Sequence, residues 1–129
     1  MKKTRLAFNH YTSIGWLLRH PKELFQELKW FIQRGLYGYS DRDVWGICDY
    51  LVAWMPSAID QLRKNSHSFP TELSHFDWHV ILAEIKNGWQ AGEKWLACEY
   101  TSDDEREEIE KTFYKGFALF YAWFWHLWD

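Results

Sequence analysis

At 129 residues the chain is the size of one domain, large enough to close its own core without a disulfide framework or a structural metal. A hydrophobic share of 47% with 26% charged residues excludes a disordered chain. Net charge is −3 and uneven: residues 1–34 hold seven Lys/Arg against two Asp/Glu, and residues 35–129 hold eight against sixteen, an acidic majority that excludes a general nucleic-acid surface.

Thr12 or Ser13 caps a short first helix ending near His20, behind an N-terminal arm of residues 1–11. Pro21 suits the first turn of a second helix through Leu24, Phe25, Leu28 and Phe31 or Ile32, which Gly35 and Gly38 stop. Ser40 opens a third helix, with Asp43 at the acidic third position of a capping box. Val44, Cys48, Leu51, Met55, Ala58 and Leu62 then recur at steps of four and three, and Pro56 within that stripe predicts a kink or a break.

After a polar loop over residues 65–73, Ser74 and Asp77 repeat the cap. The next helix runs through Trp78, Ile81, Leu82, Ile85, Trp89, Gly92, Trp95 and Leu96. A third cap at Ser102 starts a last helix with an acidic first half. It carries Ile109, Phe113, Phe117, Phe120, Phe124 and Leu127 on one face. No segment alternates at period two, so the expectation is an all-α chain. We expect a single helical domain over 1–129, a four- to five-helix antiparallel bundle with a Trp/Phe-rich core.

Ten Trp, seven Tyr and nine Phe make 20% of the chain, more than one core stripe per helix uses. Tyr121, Trp125 and Trp128 fall outside the stripe of the last helix, which predicts a homo-oligomer through that helix. Cys48 and Cys98 have no metal-type spacing and are expected as buried, reduced thiols on helices. The N-terminus has no apolar signal core, and the run Phe117–Leu127 is shorter than the ~20 residues that span a bilayer. A cytoplasmic protein without a membrane partner is expected.

The densest polar-aromatic stretch is residues 34–45. Its glycines admit close backbone approach, Arg34 or Arg42 can clamp an anion, and Tyr37, Tyr39 or Trp45 can stack on a planar base. Arg34, Tyr37, Tyr39, Asp43 and Trp45, with Lys64 and His67 at the end of the next helix, are the candidate ligand residues. The two groups lie at opposite ends of one helix, so they form one site only between subunits. The competing interpretation is a helix cap with a structural Arg–Asp pair. His75 and His79 stand four apart, but a third metal ligand does not share their stripe. Ser66, His67 and Asp60 lack a nucleophile elbow. No cofactor, no metal and no catalytic residue is expected.

Arg34-Gly35, Tyr39 to Trp45, Tyr50, Leu62 to His67, Pro70, Trp78, Ile81-Leu82 and the closing His126 to Asp129 together resemble a family of small phage and prophage proteins. The resemblance covers most of the chain from residue 34 onward. It implies a viral accessory protein in the host cytoplasm that acts by binding and not by catalysis. Such a protein would sequester a small nucleotide-like defence signal or, alternatively, inhibit a host defence protein with no small ligand.

Overall fold

A computed structural model describes residues 19–128. The expected arm over 1–11 and the body of the expected first helix lie outside those residues. Among the described residues the chain is all-α. These residues form five helices, α1 (Pro21–Tyr37), α2 (Asp41–Trp45), α3 (Ile47–Asn65), α4 (His75–Leu96) and α5 (Asp103–Ala122), with a 3-10 turn at Phe124–His126 and no strand among them. The chain divides into two units, residues 1–51 and 52–129.

In the first unit, Pro21 occupies the first turn of α1, where its missing N–H costs nothing. Gly35 does not stop the helix. Gly38 does, with φ 79° and its N–H on the Arg34 carbonyl at 3.0 Å. The predicted third helix is two helices. Gly46, at φ −140° and ψ 68°, separates α2 from α3, whereas the helix runs on through buried Pro56. Polar bonds tie α2 to α1. Lys29 Nζ lies 2.9 Å from Asp41, and the Arg42 guanidinium sits 5.1 Å over the Trp30 ring. The Tyr50 hydroxyl donates to the Gly38 carbonyl at 2.5 Å. No residue of α1 is buried.

The second unit holds the apolar core: Val52, Ile59, Trp78, Leu82, Ile85, Trp89 and Ala91. The buried face of α3 is Val52, Pro56 and Ile59, one residue along from the predicted stripe. Val44 and Cys48 of that stripe are exposed: Val44 lies on α2, ahead of the break at Gly46, and Cys48 lies in the first turn of α3.

α4 and α5 run antiparallel and touch backbone to backbone where Gly88 meets Gly116. Gly92 lies against the Phe113 ring and Val52. Around that contact the Trp89 ring meets Phe113, Phe117 and Phe120 edge-on, with centroids 6.0, 5.7 and 5.4 Å away, the favoured geometry for aromatic pairs. Trp78 meets Trp123 at 5.8 Å.

The caps at Ser74 and Ser102 form as expected. At the second, Glu105 reaches back to the N–H and hydroxyl of Thr101. α5 ends at Ala122, short of the predicted Leu127, and tightens into the 3-10 turn. Both cysteines are exposed, not buried. Cys98 lies past the end of α4 with φ 53°.

Candidate functional site

The 34–45 turn is organised by one carboxylate. Ser40 has extended φ/ψ and caps α2, which turns the Asp43 side chain back toward the chain entering the helix. Asp43 Oδ2 accepts from the Ser40 N–H and the Ser40 hydroxyl, both at 2.8 Å. It also accepts from Arg34 Nε at 2.8 Å, while Oδ1 accepts from Arg34 Nη2 at 2.5 Å. Ser40 is 1% exposed and Asp43 8%.

The electrostatics follow the geometry. The hydrogen bond to Asp43 raises the Arg34 guanidinium above its ordinary value, against the opposing pull of burial. Burial pushes the Asp43 carboxyl up, but the bonds from Arg34 and Ser40 outweigh it and hold the group below the usual carboxylate range. Four donors occupy the carboxylate, and the bidentate fork of Arg34 is directed inward. The turn is thus a capping box closed by an Arg–Asp pair.

What the turn presents outward is aromatic. Tyr37 and Tyr39 are exposed, and Trp45 is 94% exposed. Lys64 and His67 lie in the second unit. Lys64 sits in the last turn of α3, and His67 is exposed in the loop after it.

Sequence reasoning missed the centre that holds Lys64. Asp60 accepts from three cations: Lys64 Nζ on Oδ2 at 2.6 Å, Lys86 Nζ on Oδ1 at 2.9 Å and Arg63 Nη2 on Oδ1 at 3.1 Å. The bond from Lys64, then that from Lys86, holds the Asp60 carboxyl far below its ordinary range. The spacing of 60, 63 and 64 on one helix face was legible. Lys86, twenty-six residues away on α4, is a tertiary partner that spacing does not reveal.

On the same stripe of α4, the His75 and His79 rings stand 4.2 Å apart. Burial, then the proximity of His75, lowers the His79 pKa and favours its neutral form. Among the described residues no group of three or more His, Cys, Asp and Glu could hold a metal ion. The Ser66 hydroxyl donates to the Ser68 carbonyl at 2.7 Å, and Asp60 serves the three cations. No described helix is long and apolar enough to cross a membrane.

The chain matches no family model, no curated protein and no solved structure.

Proposed function

We propose that this chain is a non-enzymatic binding protein that grips another protein through aromatic surface, as a phage accessory protein inhibiting a host defence protein would. The observation that carries the reading is the outward face of the first unit. α1 buries none of its residues, although Phe25, Leu28, Phe31, Ile32 and Leu36 recur along it, and Trp45 is almost fully exposed. Contiguous apolar surface of this kind marks interaction sites, and Trp and Tyr dominate the energetics of interfaces.

A small nucleotide-like ligand is the second reading. One observation favours it, the gathering of three cations at Asp60. The 34–45 turn supplies that ligand mainly aromatic faces, because Arg34 is engaged by Asp43 and Arg42 by Glu27.

The test pairs capture with substitution. Tagged protein incubated with bacterial host lysate should retain a defined host protein. Phe31→Asp and Trp45→Ser should each release it while keeping the far-ultraviolet helical signal. Retention of the same proteins by wild type and both variants would defeat the protein-binding reading, as would retention of none.

A further inference from the structure

The second unit carries thirteen Asp/Glu and only seven Lys/Arg. With acids in such excess, each cation would be expected to find a carboxylate of its own. Instead Arg63, Lys64 and Lys86 converge on Asp60 alone. One negative charge cannot neutralise three positive ones, and the cluster keeps a surplus of two.

A structural explanation covers part of this. Arg63 and Lys64 sit in the last turn of α3, where cations complement the helix dipole. It does not cover Lys86, which lies in the middle of α4 and approaches two like charges across the helix interface. The Asp60 side chain is 18% exposed, whereas those of Lys86, Arg63 and Lys64 are 26%, 33% and 61% exposed. The carboxylate lies beneath and the cations open to water.

Each ammonium spends one N–H on Asp60 and has two further donors. The side chains of His79 and Lys86 are seven residues apart on one stripe of α4, and His75 continues it. Phe69 stands edge-on to His75 at 5.8 Å, which places an aromatic face at the far end. Charge surplus, free donors and exposure thus coincide at one place in an otherwise acidic unit.

We propose that Arg63, Lys64 and Lys86 form a binding site for a phosphoryl dianion, free or as the monoester of a small molecule, with Asp60 holding the three cations together. A phosphoryl group at neutral pH carries a charge near −2, which matches the surplus, and its three oxygens accept the donors that Asp60 leaves. The proposal rests on the small-ligand reading, and nothing in it depends on the aromatic surface of the first unit.

The test is a titration of the ¹⁵N-labelled protein with inorganic phosphate, a nucleoside 5′-monophosphate, the parent nucleoside, and sodium chloride at matched ionic strength. Phosphate and the monophosphate should shift the amides around residues 60–64 and 79–86, and chloride should not. Equal affinity for the two identifies the free anion as sufficient, and tighter binding of the monophosphate identifies the ester. Lys64→Gln, at an exposed position, should keep the fold and weaken binding about tenfold.

An equal response to chloride overturns the site, and so does phosphate binding that is not weakened in folded Lys64→Gln. A response to the nucleoside but not to phosphate overturns this site while leaving the small-ligand reading in place. No response to any probe removes both.

Discussion

Gly88 and Gly116 meet at the crossing of α4 and α5 so closely that a Cβ on Gly88 would lie 2.5 Å from the Gly116 Cα. A Cβ on Gly116 would lie 2.6 Å from the Gly88 Cα and 2.9 Å from the Glu84 carbonyl oxygen. These are backbone atoms of two packed helices, and no side-chain rotation relieves the contact. In an isolated helix, Gly→Ala stabilises by up to about 1 kcal/mol. Here overpacking opposes that gain at a typical cost of about 1–3 kcal/mol. Gly88→Ala and Gly116→Ala should therefore each lower stability by about 1–2 kcal/mol in urea denaturation. A variant more stable than wild type would show that the helices do not cross at these glycines.

Cys98 offers the opposite sign. It holds φ 53° after the end of α4, with its own N–H on the Trp95 carbonyl at 3.1 Å and the Glu99 N–H on the Lys94 carbonyl at 3.0 Å. That pair of bonds ends a helix with a left-handed residue, and glycine is the residue that fits it without a Cβ penalty. Cys98→Gly should stabilise by about 1 kcal/mol in the same denaturation experiment. Because Cys98 and Cys48 are both exposed, a thiol reagent should titrate two thiols in the native wild type and one in the variant. Loss of stability in Cys98→Gly would mean that the sulfur has a packing role.

How far these features could be read beforehand depends on their range. The caps at Ser40, Ser74 and Ser102 are bonds over three residues, and the sequence pattern locates all three. Helical periodicity likewise locates α4 with Trp78, Leu82, Ile85 and Trp89 inward. The break at Gly46 was missed because Pro56 carries the stronger local signal. Pro56 is nevertheless accommodated inside α3, where its ring is buried. The Gly88–Gly116 contact and the Lys86–Asp60 bond join residues 28 and 26 positions apart, and no local rule pairs them. In the turn, Arg34 and Asp43 are individually conspicuous, but only the folded geometry shows that they satisfy each other.

The Arg34–Asp43 pair predicts the acid behaviour of the first unit. The Asp43 pKa is lowered on folding from an ordinary 3.8, because the Arg34 and Ser40 bonds outweigh burial. A depressed carboxylate contributes stability above its unfolded pKa and loses it as pH falls through the lower, folded value. The Asp43 contribution should therefore be flat from neutral pH to about 5 and decline from pH 4 downward. The strongly depressed Asp60 carboxyl should add to that decline. Asp43→Asn removes the carboxylate charge from the half-buried Arg34 guanidinium and should cost about 1–2 kcal/mol at neutral pH. It should also reduce the difference in stability between pH 7 and pH 3. A variant with wild-type stability at pH 7 and an unchanged acid slope would refute the pairing.

The last prediction concerns self-association through the C-terminal end of the second unit. Tyr114, Phe117, Tyr121, Trp125 and Trp128 lie along α5 and the turn after it, and all five are exposed, with Trp125 at 83% and Tyr121 at 80%. The Trp89 cluster uses Phe113 and Phe120, together with the inner edge of Phe117, so α5 presents aromatics to two sides. Each large aromatic left in water forgoes on the order of 2 kcal/mol of burial, which favours a two-fold pairing of the patch with itself. Charge selects the orientation. The first half of α5 carries Asp103, Asp104, Glu105, Glu107, Glu108 and Glu110, which a parallel partner would bring together and an antiparallel one holds apart. Light scattering at micromolar concentration should give about twice the 15.7 kDa chain mass. Trp125→Glu combined with Trp128→Glu should return the mass to one chain and leave the helical signal largely intact, since neither residue belongs to the buried core. A wild-type mass of one chain would refute the prediction, and a dimer that survives the double substitution would place its interface elsewhere.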